Sequence, residues 1–209
     1  MIDIDLNQVN ASLRDARPEE ILRWALSLDQ KTIVTTNFGP FEAVLLNMVY
    51  EQAPGMPVIC VDHGYNTTAT YRFAADLTQR LGLNMHYYTP RVTAKRREAV
   101  MGGIPDIDDA NEHDLFTKEV KLEPFARAMA EHQPQVWLTA IRKEQTAFRD
   151  SLDVVTVDGK TGVIKVAPVF YWTELDMEEY LYEKGLPNEE DYFDPTKVLK
   201  NRECGLHVG

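Results

Sequence analysis

In the run NRECGLHVG at positions 201–209, Cys204 stands two residues from Arg202 and three before His207. Neighbouring positive charge stabilises a thiolate, and exposure lets reagents reach it, so a cysteine in a polar, glycine-containing segment has the setting of a nucleophile. A free thiol without function is the competing reading. The other cysteine, Cys60, lies inside the apolar run VICVD and has the setting of a core residue. Two cysteines cannot build a disulfide framework, a C-x-x-C redox pair or a four-thiolate iron–sulfur site. Any redox chemistry here must use one thiol or an external partner; we expect no metal and no bound cofactor.

A second candidate is TIVTTNFGPFEAVLL, residues 32–46, which reads as a buried strand, a small polar turn and a helix. A turn at the carboxyl end of a strand that feeds a helix N-terminus presents backbone N–H groups where an anion can sit. Thr35, Thr36 and Asn37 add short polar side chains, and Gly39 allows close backbone approach, so no lysine is required. An ordinary strand–helix turn remains open, because short polar turns are common. Asp62, followed by His63, Gly64 and Tyr65, ends a second strand at the same sheet edge and could contact a base or ribose; a plain turn is the alternative. AIRKEQTAFRD, residues 140–150, brings Arg142, Lys143 and Arg149 together with Gln145, an arrangement suited to clamping phosphate or sulfate. It is equally a solvated helix face that Glu144 and Asp150 neutralise. Arg91, Lys95, Arg96 and Arg97 pose the same choice, as a lid or as surface.

These candidates need elements to position them. Ile21, Leu22, Ala25, Leu26 and Leu28 give one apolar side of a helix over 18–28, with Pro18 in its first turn. A strand at 31–36, a helix at 41–52, a strand at 58–62, a helix with Tyr71, Ala74, Leu77 and Leu81 on its apolar side, and a strand at 83–89 follow. That alternation is the pattern of a parallel sheet wound with right-handed crossovers. Residues 90–118 read as an excursion over the sheet edge, broken by Gly102, Gly103 and Pro105. A helix over 121–133, a strand over 136–142, a hairpin over 154–169 and a helix over 173–185 capped by Thr173 complete the periodic part; the rest has no clear period.

With 209 residues the chain has room for one substantial α/β domain, and we expect one over 1–209, with 186–209 a tail that carries the reactive cysteine. A formal charge of -11 argues against a general nucleic-acid binder while leaving room for a small anion in a locally basic pocket. MIDIDLNQVN has no basic and apolar leader, and no apolar run approaches about 18 residues. A cytoplasmic protein that spans no membrane is expected.

TTNFG, VDHGYNTTATYRF, KLEPFARAM, AIRKEQTAFR and RECGLH stand in the order and at about the spacing found in the adenylyl-sulfate and phosphoadenylyl-sulfate reductases of sulfate assimilation. The chain resembles that family over residues 17–185 and 201–207, and the terminal Glu-Cys-Gly-Leu-His is the most specific part. The resemblance implies a three-layer αβα fold with a mainly parallel, doubly wound sheet, of the adenine nucleotide alpha hydrolase-like type, with TTNFG as its modified PP-loop. It implies that Thr35, Thr36, Asn37, Phe38 and Gly39 cradle an adenosine phosphosulfate, and that Asp62, Gly64, Tyr65, Lys121, Arg142, Gln145, Arg149 and Arg202 help to bind it. Cys204 becomes the nucleophile and His207 its companion. Reduced thioredoxin or glutaredoxin becomes the electron donor, and a homodimer is implied. Without the paired cysteines of the cluster-bearing adenylyl-sulfate enzymes, the 3′-phosphorylated substrate is favoured. A cluster-free adenylyl-sulfate reductase and a nucleotide-binding or regulatory homologue without turnover are the alternatives.

Two departures stand out. Thr68 and Ala69 replace the family's acidic Pro-Glu pair before Tyr-Arg-Phe, and NEEDYFDPTKVLKN replaces a longer segment that contains Gly-Tyr-x-Ser-x-Gly-Asp. The stretch from Leu186 to Arg202 can still extend about 55–60 Å, so the cysteine can reach a pocket at the sheet edge.

Overall fold

Neighbouring residues Ile33 and Val34 point to opposite faces of a strand, and both are buried, at 2% and 0% exposure. A strand covered on both faces requires a layer of helices on each. The computed structural model describes residues 4–106 and 108–197; Arg202, Cys204 and His207 lie outside the described residues. The helices are α1 (Leu6–Leu13), α2 (Pro18–Ser27), α3 (Glu42–Gln52), α4 (Thr68–Leu81), α5 (Ala94–Met101), α6 (Ala110–Thr117), α7 (Glu123–His132), α8 (Ala147–Asp150) and α9 (Glu174–Lys184). The strands are β1 (Thr32–Thr36), β2 (Pro57–Val61), β3 (Asn84–Tyr88), β4 (Val136–Leu138), β5 (Val155–Val157) and β6 (Ile164–Val166). They form one sheet in the order β3-β2-β1-β4-β6-β5, parallel throughout except for the antiparallel β5 at the edge.

Val34, Val58, Cys60 and Leu138 face a layer that includes Leu22 of α2, Leu46 of α3, Leu77 of α4 and Met177 of α9. On the other face Ile33, Ile59 and Trp137 meet Phe125 and Ala128 of α7. The fold is α/β with helices on both sides of a mainly parallel sheet, as the alternation of patterns requires. α3 runs through the middle of its layer, with Ala43, Val44, Leu45, Leu46 and Met48 all at 0% exposure. Each of these Val, Leu and Met side chains contributes about 1.5–3 kcal/mol by leaving water.

Several expectations need correction. The strand expected over 136–142 ends at Leu138, because β6 stops at Val166 and Lys143 N–H turns to the Phe170 carbonyl instead. Tyr71, expected on the apolar side of α4, is 42% exposed and donates its hydroxyl to Asp62 at 2.7 Å. Residues 90–118 are not a bare excursion: they hold α5 and α6, anchored by the buried Arg97, which pairs with Glu119 and lies over the Phe116 ring at 5.4 Å. The helix expected over 121–133 begins as a π-helical turn, Lys118–Leu122, that joins α6 to α7. Pro124 has no N–H for the Val120 carbonyl, and its ring crowds that position, so the helix widens there. α1 has no counterpart in the sequence reading.

Candidate functional site

The carboxyl ends of β1 and β2, the start of α3 and the residues after β4 enclose a cavity of about 480 Å³. Thr35, Thr36, Asn37 and Gly39 line it from the loop after β1, and Arg142, Gln145 and Arg149 from the segment beyond β4. Lys121 reaches it from the π-helical turn. Residues far apart in the sequence thus meet at one sheet edge. The edge is the one at which a loop feeds a helix N-terminus, where open α/β sheets bind ligands.

The loop is tightly organised. Thr36 Oγ1 accepts the Phe38 N–H at 3.0 Å, Asn37 Oδ1 accepts the Gly39 N–H at 2.9 Å, and Asn188 Oδ1 accepts the Phe41 N–H at 2.8 Å. Three amides that the sequence offered to an anion therefore have acceptors in this structure. Phe38 and Phe41 adopt left-handed backbone angles, φ 55° and 65°. Each costs an L-residue about 1–3 kcal/mol, and such strain gathers where a loop must hold one shape for a ligand. Gly39 is needed for close approach, since a Cβ there would stand 2.9 Å from Asn37 Oδ1 and 3.3 Å from the Tyr192 ring.

The arginines are not on a solvated face. Arg142 and Arg149 are 5% and 8% exposed, and Gln145 Oε1 accepts from the Arg142 backbone N–H at 2.9 Å and from the Arg149 guanidinium, so one amide ties the Arg142 backbone to the Arg149 side chain. Arg142 also pairs with Glu144 and lies 5.4 Å from the centre of the Phe41 ring. Lys143 and Asp150 pair with each other at 3.5 Å on the surface, so the two acidic residues of this stretch do pair with Arg142 and Lys143, although Arg142 itself is buried. Arg91, Lys95 and Arg96 do not line the cavity; Arg91 pairs with Glu123 at 80% side-chain exposure and Lys95 with Glu98 at 90%.

Lys121 meets Asp194 at 2.5 Å and Thr196 Oγ1 at 3.2 Å. The ammonium beside Asp194, with the Thr196 hydroxyl, outweighs burial and holds that carboxyl well below its ordinary value. Residues 186–197 are thus seated along the rim, where Asn188, Tyr192, Asp194 and Lys197 all take part. None of these four was singled out from the sequence, because NEEDYFDPTK has no periodicity to read. Glu42 and His63 line the cavity too, and burial lowers the affinity of His63 for a proton. Glu42 sits in the first turn of α3, where an acidic residue reads as a partner of the helix dipole rather than as a cavity group.

The remaining candidates lie elsewhere. Phe38 is buried, with its ring edge-on to Phe73, and with Asp62 it lines a separate cavity of about 260 Å³ beside α4. Asp62 accepts from the Gly64 N–H at 2.9 Å as well as from Tyr71. Tyr65 packs edge-on to Phe116, and neither it nor Gly64 lines the larger cavity. Cys60 is core, as its run implied, and burial pushes its thiol far up. Among the described residues no group of His, Cys, Asp and Glu could hold a metal ion, and no helix is long and apolar enough to cross a membrane.

Comparison with known proteins gives a consistent result. The profile of the phosphoadenosine phosphosulfate reductase domain matches residues 31–194. A phosphoadenosine 5′-phosphosulfate reductase of Synechococcus sp. is 34% identical over 87% of this chain and 78% of its own length. That of Xanthomonas campestris pv. campestris is 35% identical over 97% of this chain and 92% of its own. Among solved structures, the phosphoadenylyl-sulfate reductase of Candida auris, in a phosphate complex, superposes with a TM-score of 0.77 at 26% identity, covering 90% of this chain and 91% of that one.

Proposed function

Since the chain belongs to the phosphoadenosine phosphosulfate reductase family, oxidoreductases that act on a sulfur group, we propose that it reduces 3′-phosphoadenylyl sulfate to sulfite and adenosine 3′,5′-bisphosphate in sulfate assimilation. The observation that carries this reading is the meeting of the Thr35–Gly39 loop, Lys121, Arg142 and Arg149 around one cavity at the carboxyl edge of the sheet. A cavity with buried guanidinium and ammonium groups suits the phosphate and sulfate oxygens of such a nucleotide.

In the mechanism, the Cys204 thiolate attacks the sulfonyl sulfur; the S–O bond to the nucleotide breaks and its electron pair leaves with the phosphate. The products are adenosine 3′,5′-bisphosphate and an S-sulfocysteine. A thiolate of reduced thioredoxin or glutaredoxin then attacks the Cys204 sulfur, sulfite departs with the S–S bonding pair, and the donor's second thiol resolves the mixed disulfide. The two electrons come from the donor dithiol, which accords with a chain whose other cysteine, Cys60, is buried. Arg142, Arg149 and Lys121 hold the anionic groups, and Arg202 and His207 accompany the nucleophile.

The test is sulfite release by the purified protein with thioredoxin, its reductase and NADPH, with the two adenylyl sulfates compared. Preference for the 3′-phosphorylated compound is expected, and Cys204→Ser should abolish release while nucleotide still binds. Release that survives this substitution refutes the mechanism, and preference for the unphosphorylated compound moves the assignment to a cluster-free adenylyl-sulfate reductase.

A further inference from the structure

His63 follows β2 and lines the cavity with 4% of its surface exposed, yet the mechanism above makes no use of it. Its Nδ1 accepts the Tyr65 N–H at 3.1 Å. A ring nitrogen that accepts a backbone N–H carries no proton, so the imidazole is neutral and its one proton sits on Nε2. The turn keeps the ring in that state. Gly64 N–H donates to Asp62 Oδ1 at 2.9 Å, Gly64 takes a left-handed φ of 81°, and the Tyr65 ring stands edge-on to Phe116 at 5.7 Å. Protonation of Nδ1 would set one N–H against another.

Nε2 makes no hydrogen bond among the described residues. Nor is it one of the covered polar atoms that lack a partner, as Tyr65 Oη and Asn66 Oδ1 are. Nε2 therefore keeps some accessible surface, and the space that His63 borders is the cavity. The nearby carboxylate of Asp194 is already engaged: its Oδ2 accepts from Lys121 at 2.5 Å and from Tyr192 at 3.3 Å, and its Oδ1 accepts from the Thr196 N–H at 2.9 Å and hydroxyl at 2.6 Å. A nearly buried N–H without an acceptor is costly, and a ligand in the cavity relieves that cost.

We propose that His63 is a ligand-binding residue of this cavity, a neutral imidazole that donates its Nε2–H to an oxygen of a bound phosphate or sulfate group while the Tyr65 N–H holds its tautomer. The inference rests on reading the cavity as an oxyanion site. Lys121, Arg142 and Arg149 supply positive charge there, and a neutral donor adds a hydrogen bond without burying a further cation. Burial lowers the proton affinity of His63, and Lys121 acts in the same direction, against Asp194 and Asp62. The remaining ionisable side chains around the cavity are Glu42, Glu174, Tyr192 and Lys197. His63 thus differs from a histidine that holds anions as a cation, since it needs no added proton to bind.

Two substitutions separate the roles of the two nitrogens. In His63→Asn the side-chain carbonyl can still accept the Tyr65 N–H, as an Asx turn, but nothing reaches the Nε2 position. In His63→Gln the longer amide places an N–H there and leaves Tyr65 without its acceptor. Calorimetric titration of the full chain with inorganic sulfate should show affinity reduced about tenfold or more in His63→Asn, and within about threefold of the wild type in His63→Gln. Equal affinities in the two variants, the reverse order, or a wild-type chain that binds no sulfate overturns the proposal, because a ring that serves the turn alone is replaced better by Asn. Heteronuclear NMR of the wild-type imidazole nitrogens, assigned through the backbone, decides even where a variant does not fold. Nδ1 should be unprotonated with and without sulfate, and the Nε2–H proton should move downfield as sulfate binds; two protonated nitrogens, or an Nε2–H that ignores sulfate, refutes the assignment. Sulfite release is a separate readout. A chain that reduces its substrate while His63 ignores sulfate refutes the role of His63 and leaves the reductase reading standing. A response of His63 to sulfate without sulfite release from either adenylyl sulfate refutes the reductase reading and leaves the oxyanion contact.

Discussion

Lys121 and Asp194 face each other with 6% and 2% of their side chains exposed, so neither charge is satisfied by water. Removing one partner leaves the other buried and uncompensated, which costs about 3–5 kcal/mol. Asp194→Ala should therefore destabilise the fold by that amount in urea unfolding, and the double substitution Lys121→Met with Asp194→Leu should recover most of the loss while nucleotide affinity stays low. The carboxyls of Asp194 and Glu42 respond to pH in opposite senses. Asp194 is held below its unfolded value of 3.8, so its contribution is present above that pH and lost as the pH falls through the depressed folded value. Glu42 is raised from 4.5 to about 7, so its contribution is complete below 4.5 and lost as the pH rises through 7. A shift of that size corresponds to at most about 3 kcal/mol. Glu42→Gln should thus be more stable than the wild type at pH 8 and lose the advantage near pH 4; equal wild-type and variant stabilities at pH 8 would contradict the raised proton affinity of this carboxyl. None of this was legible in the sequence, because a lysine and an aspartate 73 positions apart, in stretches without a common period, give no sign of their pairing.

The elements were legible where periodicity and turn chemistry agreed. β1, α3 and β2 appear within a residue or two of their expected bounds, and the capping box that Thr173 and Asp176 form at the start of α9 stands where its residues suggested. Misreadings arose where long-range contacts decide. β4 was read too long because Ala140 and Ile141 are apolar enough to continue a strand, yet β6 ends at Val166, whose carbonyl takes the Thr139 N–H at 3.0 Å, and the residues beyond become cavity wall. The π-helical turn looks like plain helix in sequence, although it is what brings Lys121 into place. α1 was missed because its anchor is polar: the Asn10 amide donates to the Val155 carbonyl at 2.9 Å and accepts the Val155 N–H at 2.8 Å. One side chain thus imitates the strand that the edge of β5 lacks and keeps that edge from pairing with another chain. Asn10→Ala should cost about 1–3 kcal/mol, since both backbone groups of Val155 lose their partner. Its signature should be local: hydrogen exchange at Val155 should accelerate far more than at Val34 in the sheet centre, and uniform acceleration of both would show that Asn10 is only part of the general core.

At the scale of the whole molecule, charge is arranged against itself. The chain carries a net -11, yet Lys121, Arg142, Arg149 and Lys197 gather at one cavity. The cations act at contact distance, where salt screens them weakly, whereas the net charge acts over the full approach of an anionic ligand. A domain of this length has a radius of about 20 Å. Treated as a uniform sphere in water, it repels a dianion at its surface by about 2–3 kcal/mol when the screening length is 30 Å, and by about half that when the screening length is 10 Å. Added salt should therefore speed nucleotide association rather than slow it, the reverse of what a basic site alone would give. Stopped-flow association of adenosine 3′,5′-bisphosphate, measured from about 0.01 to 0.1 M ionic strength, should show a several-fold rise in the on-rate. A steady fall over that range would mean that the local cations govern the approach, with the field of the cavity extending further into solvent than its buried arginines suggest.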